Sequence, residues 1–489
     1  MSVNTVNVLF LAAEATPYAK VGGLGDVAGA LPRALRGLPE DAGKPRVDVR
    51  LVLPLHPVIK NAQARPVGSF FMDFAGGRSR VDVLESRLEG MPVYFIDGVP
   101  VRASPEVYAA DPRLERDKFA FFSLAALHVP RLVGWRPDIL HANDWHSGIA
   151  PYASLSPDLA PGWGRFRRVI TIHNLGFLGP DVRRLVGRAK HGLPLPALPA
   201  WARHRPFPMG LWAADAIVTV SPSYAREIMT RKYGMRLDSF FRQRRGQLHG
   251  ILNGIDTAAY DPGTDSALEV KFTADTLSAR AANKAALQAE LGLPHRADTL
   301  LMGVVSRMDF QKGTDLLRAA LRSRDLRGRE WQLVILGTGD PHLEAAAHQL
   351  EEQMPDRVRA AIRFDDRLAR RIYGGCDLLL MPSRFEPCGL SQMMAMRYGC
   401  VPLVRAVGGL KDTVHPGRNG FAYDGAGAAA LVRSIQEALG SYEEREGWDE
   451  LQRTGALQDF SWDRSAALYA DLYHSLLGGT GRETGLGPH

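Results

Sequence analysis

Two successive series of short apolar runs, each run closing in glycine or a charged turn and followed by a helix-length stretch, constrain this fold more than any other feature. The first series opens with Val6-Asn-Val-Leu-Phe-Leu-Ala-Ala and passes through the turn Lys20-Val-Gly-Gly-Leu-Gly-Asp26 into a helical pattern on Val27, Ala30, Leu31 and Leu35. Further runs follow at 47–53, 92–96, 138–141, 169–172 and 216–220, with a helical stretch at 118–133 between two of them. After Asn253-Gly-Ile-Asp256 and a helix-prone segment at 265–292 the pattern restarts at Leu300-Leu-Met-Gly-Val-Val-Ser306, with runs at 332–336, 361–364, 378–381 and 401–404. Fully apolar strands alternating with helices predict parallel, doubly wound sheets.

A chain of 489 residues exceeds what one core usually supports. The predicted organisation is α/β, two Rossmann-like doubly wound domains over 1–248 and 249–462, with their strand ends facing a central cleft. A helix at 463–477 is amphipathic through Ala466, Leu468, Tyr469, Leu472 and Leu476, and a Gly-rich tail at 478–489 is expected to be disordered.

Composition excludes several classes. Hydrophobic residues make up 45% and charged residues 23%, an ordinary globular balance. The net charge of +7 is spread along the chain, which favours a basic globular protein over a nucleic-acid binder. Cys376, Cys388 and Cys400 are odd in number and lack a CxxC spacing, so neither a disulfide framework nor a zinc site is expected and a cytoplasmic setting fits. The apolar start is short, without a basic leader, and no run is long enough to cross a bilayer, so no membrane association is expected.

Four constellations carry chemistry. In the first, Gly22 and Gly23 at a helix entry can bring backbone N–H groups to an anion, with Lys20 adding a point charge; a plain strand–helix turn fits the spacing equally well. Ala28 stands where a third dinucleotide-fingerprint glycine would be, and no acidic residue closes the next clear strand, so a nicotinamide cofactor is disfavoured. In the second, Ser306-Arg307-Met-Asp-Phe-Gln-Lys312-Gly313 can bring a guanidinium fork and an ammonium to a diphosphate. In the third, Ser383-Arg-Phe-Glu386-Pro-Cys388-Gly389-Leu390 puts a carboxylate where a strand meets a helix, suited to sugar hydroxyls or to helix capping. The methionines at 393, 394 and 396 that follow read as core.

The fourth is His141-Ala-Asn-Asp144-Trp145-His146 with Thr171-Ile-His173-Asn174. A metal site is conceivable there, but the chain contains no Asp-x-Asp. Sugar stacking on Trp145 amid polar contacts from His146 and Asn174 is the preferred reading. The absence of G-x-S-x-G disfavours a serine hydrolase.

In this order the motifs Lys-x-Gly-Gly-Leu, His-x-x-Asp-Trp-His, Ser-Arg-x-x-x-Gln-Lys-Gly and Ser-Arg-Phe-Glu-Pro-Cys-Gly-Leu resemble the bacterial and plant glycogen (starch) synthase family, retaining glucosyltransferases of GT-B fold. The resemblance runs over about residues 5–477. Met394, eight residues after Glu386, stands where related retaining GT-B enzymes carry a second glutamate, which favours the glycogen synthase pattern. The resemblance implies transfer of glucose from ADP-glucose to the non-reducing 4-hydroxyl of an α-1,4-glucan, without metal or other cofactor. The N-terminal domain would be the acceptor side and the C-terminal domain the donor side.

It further implies that Lys20, Arg307 and Lys312 hold the donor diphosphate, helped by the backbone of Gly22, Gly23 and Leu390. Phe364 would lie against adenine, Glu386 would grip the donor glucose, and Asp144 and His173 would bracket the anomeric carbon. Front-face transfer with retention is expected, the leaving phosphate accepting the acceptor's proton. So is lobe closure near Ser461-Trp-Asp463, with the last helix crossing back to the N-terminal domain. Residues 178–198 and 201–215, and Arg116-Asp117, depart from the family pattern and leave acceptor geometry open. Alternatives are a related GT-B transferase with a small or different acceptor, and a non-catalytic glucan- or nucleotide-binding protein.

Overall fold

The structure, a computed structural model, describes residues 5–39, 45–60, 62–187 and 190–478. The expected tail beyond Gly478 lies outside the described residues. The chain forms two compact units. Unit 1 comprises Met1–Val220, Ala225–Gly254 and Trp462–His489, and unit 2 comprises Ser221–Tyr224 and Ile255–Ser461.

Among the described residues, unit 1 holds one nine-stranded sheet. Its strands are β1 (Val6–Leu11), β2 (Val47–Pro54), β3 (Arg65–Phe74), β4 (Gly77–Leu88), β5 (Met91–Asp97), β6 (Ile139–Asn143), β7 (Arg167–Ile172), β8 (Ala216–Thr219) and β9 (Leu248–Gly250). Their order is β3-β4-β5-β2-β1-β6-β7-β8-β9. Pairing is parallel from β5 to β9, while β3 and β4 form an antiparallel edge whose half-exposed residues carry no continuous apolar run. Register is set by burial of both faces: Val8 pairs with Val49 on one side and Ile139 on the other, and all three are fully buried.

The helix Gly23–Gly37 packs through Leu24, Val27, Leu31 and Leu35, with Asp26 in its first turn and Arg36 in its last, both favourable to the helix dipole. The helix Trp462–Gly478 lies against it, as expected for the terminal helix of a GT-B fold. It buries Ala466, Tyr469, Leu472 and Tyr473. His141 joins Tyr473 Oη (2.7 Å) to Thr171 Oγ1 (2.7 Å), and Arg167 donates to the Leu476 carbonyl at 3.0 Å.

Unit 2 holds, among the described residues, a six-stranded parallel sheet of β10 (Leu300–Val305), β11 (Trp331–Leu336), β12 (Val358–Ala361), β13 (Leu378–Met381), β14 (Val401–Arg405) and β15 (Phe421–Tyr423). Their order is β12-β11-β10-β13-β14-β15. Leu300, Met302, Val304, Leu333, Leu378 and Leu403 lie in its core, capped by Ile435, Leu439 and Trp448. Met393, Met394 and Met396 are buried. A buried Lys284 ties four partners together: the carbonyls of Ala297 and Thr299, Asp377 Oδ2 at 2.8 Å and Tyr442 Oη at 2.9 Å.

The parallel part of each sheet has one point at which chain order reverses, between β1 and β6 in unit 1 and between β10 and β13 in unit 2. The carboxyl ends of strands at such a switch point are where open α/β sheets place ligands.

Candidate active site

The unit 1 switch point is built from the residues after β1 and β6. After β1 the chain loops back over the Gly23–Gly37 helix: Thr16 N–H donates to the Gly25 carbonyl at 2.9 Å, and a Cβ at Gly29 would stand 2.1 Å from Thr16 Oγ1 and 2.7 Å from its carbonyl oxygen. The glycine at 29 thus admits the loop. Glu14, fully buried, accepts the N–H of Val21, the N–H of Gly22 at 3.2 Å and the Tyr108 hydroxyl at 3.0 Å. Burial raises its pKa, against those hydrogen bonds. Gly22, expected to offer its N–H to a phosphate, offers it to this internal carboxylate. Lys20 Nζ pairs with Asp26 Oδ1 at 2.8 Å, both about a quarter exposed.

After β6, Asp144 sits at φ +52°, in the left-handed region that costs a residue bearing a Cβ about 1–3 kcal/mol. Its Oδ1 accepts the N–H of His173 at 2.7 Å and of Asn174 at 3.2 Å, so the carboxylate ties the ends of β6 and β7 together. Burial pushes its pKa up to about 7, with the Glu14 charge adding to the rise. Asn143 donates from Nδ2 to the Leu11 carbonyl at 2.9 Å, which turns its Oδ1 to His173 Nε2 at 2.8 Å. His173 therefore donates from Nε2 and keeps the lone pair on Nδ1. Burial lowers both His173 and His146 to about 3, so both are neutral. The Asn174 side chain accepts the Gly176 N–H at 2.9 Å.

Trp145, expected to stack on a sugar, is only 7% exposed and packs on Phe119 (5.3 Å between centroids) and His146 (4.3 Å). Its large apolar ring packs among core side chains. His146 is likewise buried, against Tyr108 and Phe119.

In unit 2, Arg307 and Lys312 follow β10 and Glu386 follows β13. Asp309 caps the short turn Phe310–Lys312 by accepting the Lys312 N–H at 3.0 Å. Gly313 has φ +68°, and a Cβ there would lie 2.2 Å from the Pro382 carbonyl, so this position requires glycine on both counts. The close approach brings Lys312 Nζ within 2.6 Å of Glu386 Oε2, which Ser383 Oγ also reaches at 3.0 Å. Glu386 is 5% exposed, and its Oε1 makes no hydrogen bond among the described residues.

The turn carrying Glu386 is braced on several sides. The Arg384 N–H donates to the Gln311 carbonyl at 2.7 Å, Arg405 reaches the Arg384 carbonyl at 2.8 Å, and Gly409 N–H reaches the Glu386 carbonyl at 3.1 Å. Arg384 also pairs in a fork with Asp315, 2.7 Å on each arm. Cys388 is buried against Gly409, Gly389 turns at φ +73°, and Leu390 leads into the helix Ser391–Arg397. Arg307 is half exposed, 3.1 Å from Asp309. Phe364 lies three residues past β12, not on a strand as the apolar run suggested, and is 75% exposed. A braced carboxylate paired with the Lys312 ammonium, with Arg307 exposed at the start of the same turn, suits a ligand bearing both hydroxyls and phosphate.

Residues 7–243 match the starch synthase catalytic domain and residues 289–454 match glycosyl transferases group 1. Over 96% of its length the chain is 41% identical to a glycogen synthase of Anaeromyxobacter sp. (strain Fw109-5) and 41% identical to one of Gloeobacter violaceus (strain ATCC 29082 / PCC 7421), 99% of each relative being covered. The chain belongs to the glycogen and starch synthase family. It is a GT-B glucosyltransferase of the glycogen synthase type. The catalytic domain of starch synthase IV from Arabidopsis thaliana, solved with ADP and acarbose, superposes with a TM-score of 0.86 at 31% identity, over 97% of this chain and all of that one. Sucrose-phosphate synthase from Thermosynechococcus elongatus shares the fold, with a TM-score of 0.60 at 21% identity, over 97% of this chain and 99% of its own.

Among the described residues of this glycogen synthase relative, no three His, Cys, Asp or Glu side chains gather as a metal site, and no helix is long and apolar enough to cross a membrane. Glu14, Tyr108 and Asn143 are parts of the site that motif reading missed. Glu14 does leave one trace, a carboxylate closing an apolar strand just before a glycine turn; Tyr108 leaves none.

Proposed function

We propose that this family member moves glucose from ADP-glucose to the 4-hydroxyl at the non-reducing end of an α-1,4-glucan, with retention of configuration and in the cytoplasm. The observation that carries the reading is the Lys312–Glu386 pair at the unit 2 switch point, with Arg307 on the same turn as Lys312. Arg307, Lys312 and Lys20 neutralise the donor diphosphate as it leaves. Phe364, an exposed ring at the edge of the sheet, stacks on the base, and Leu390 and Gly389 give backbone contact. Glu386 accepts from donor hydroxyls through Oε1. Asp144 and His173 flank the reacting sugar, the neutral histidine as a hydrogen-bond partner rather than a cation. The leaving phosphate itself takes the acceptor proton, so the protein's task is prearranged charge. The solved relative's ADP and acarbose, a nucleoside diphosphate and an oligosaccharide mimic, support this pairing of donor and acceptor.

The test is a donor panel of ADP-, UDP- and GDP-glucose with glycogen and maltotetraose as acceptors, in EDTA. Incorporation from ADP-glucose is expected to dominate, to survive EDTA and to collapse in Lys20→Ala and Glu386→Ala. Turnover preserved in both variants would refute the site assignment. Tight ADP binding without transfer to any glucan would replace the enzyme reading with a binding one.

A further inference from the structure

Glu14 takes no part in the proposed transfer, yet it is the most completely enclosed acid of the unit 1 site, 1% exposed. No Lys or Arg pairs with it among the described residues. Its partners are two backbone N–H groups of the Lys20 turn, Val21 and Gly22, and the Tyr108 hydroxyl. A glycine-rich turn at a strand–helix junction is an anion site, its N–H groups converging and the helix dipole adding to them. Here the anion is part of the protein. Gly25 completes the enclosure, since a Cβ there would lie 3.3 Å from Glu14 Oε2 and 3.3 Å from the Lys20 backbone.

Tyr108 is held in turn. The fully buried Lys118 donates to the carbonyls of Glu106 (2.7 Å) and Val107 (3.1 Å), and Glu115 accepts the Ala109 N–H at 2.7 Å. Both side chains come from the helix Pro112–Ala126, so the residues on either side of Tyr108 are pinned to one rigid element. The bonds run from that helix through Tyr108 and Glu14 to the turn that starts at Lys20.

We infer that Glu14 is a positioning residue for Lys20: as an internal counter-anion it fixes the 21–22 turn, leaving the Lys20 ammonium, and not the Gly22 N–H, as that turn's contribution to the donor phosphate. The inference rests on the proposed role of Lys20. Glutamine can still accept the Val21 and Gly22 N–H groups and donate to the Tyr108 oxygen, so Glu14→Gln removes the internal charge alone.

The experiment is a double-mutant cycle on kcat/KM for ADP-glucose with Glu14→Gln, Lys20→Ala and the pair. Each single variant is expected to lose about tenfold or more, the scale of a buried charge-assisted hydrogen bond. The added loss from Glu14→Gln in the Lys20→Ala background is expected to be under about threefold, because its effect passes through Lys20. Multiplicative losses would overturn the inference, assigning Glu14 an action of its own, as would full activity in Glu14→Gln beside an impaired Lys20→Ala. An unimpaired Lys20→Ala would instead overturn the donor-phosphate reading beneath it. Should Glu14→Gln fail to fold, Tyr108→Phe decides by the same cycle. It removes one bond to Glu14, keeps both N–H bonds, and is expected to lose activity with Lys20 present and not without it.

Discussion

Replacing Asp144 by asparagine is expected to stabilise this protein above neutral pH while abolishing its activity. Asparagine keeps an Oδ1 for the His173 and Asn174 N–H groups, 2.7 and 3.2 Å away, and removes only the ionisation. The folded protein holds the Asp144 proton to about pH 7, whereas a carboxyl free in water releases it at 3.8. Between those values the folded state is protonated and the unfolded chain is not. The stability this group contributes is therefore complete below the lower value and falls as pH rises through the upper one. The gap between 3.8 and about 7 sets the full loss near 4 kcal/mol, at about 1.4 kcal/mol per tenfold change in proton affinity.

The stability advantage of Asp144→Asn should therefore grow from about 2 kcal/mol at pH 5 to about 4 kcal/mol at pH 8, and level off there. Urea titrations of both proteins at four pH values, followed by circular dichroism, measure it. Glu115, also raised to about 7 by burial, is common to both proteins and cancels. Any relief of backbone strain, since asparagine tolerates positive φ, shifts the curve without tilting it. A difference that does not change between pH 5 and pH 8 would refute the reasoning. At pH 8, where the Asp144 carboxylate is ionised, glucose transfer should fall by about a hundredfold or more, the usual cost of removing preorganised charge at a reacting centre.

Lys312→Met leaves the Glu386 carboxylate buried without its cation, and urea titration should show a loss of about 3–5 kcal/mol. Most of that loss should return in Lys312→Met/Glu386→Gln, which stays inactive. Tyr473→Phe strips the buried His141 Nδ1 of its partner and should cost about 1–3 kcal/mol, read as a lowered melting temperature. Gly29→Ala drives a methyl into Thr16, side chain and backbone alike, and should destabilise unit 1 by about 1–3 kcal/mol in a urea titration.

Much of the fold was legible because both faces of a parallel strand are buried. Residues of β1 from Val8 onward, β10 and β13 read as unbroken apolar runs, and the turns after them hold Lys20, Arg307 and Glu386. The β3–β4 edge escaped notice for the converse reason, since strands with exposed faces, such as Gly77-Arg-Ser-Arg80, carry no such run. In β12 the polar Arg359 hid the strand's start, and the expected strand was drawn too far along, over Phe364. Side-chain roles were less readable than positions. Trp145 has the composition of a sugar platform, and only packing shows that Phe119 and His146 enclose it. Nothing local in sequence reveals that the 106–107 carbonyls lie over Lys118. The partnership of Glu14 with Val21 and Gly22 depends on how the loop folds back, which spacing does not encode.

Unit 1 is interrupted in sequence. Its sheet is complete by residue 250, but the helix Trp462–Gly478 that covers the Gly23–Gly37 helix is synthesised only after the whole of Ile255–Ser461. On the ribosome the usual N-terminal-first order is therefore broken: unit 2 has all its strands available while unit 1 still lacks the Tyr473 hydroxyl for His141, a contact spanning 332 residues. Prior folding of unit 2 draws the ends of that long loop together and shortens the effective chain to be closed, which lowers the entropic cost of seating the last helix. The nascent N-terminal unit meanwhile presents an apolar seat, and the latest-made residues of the helix fill it.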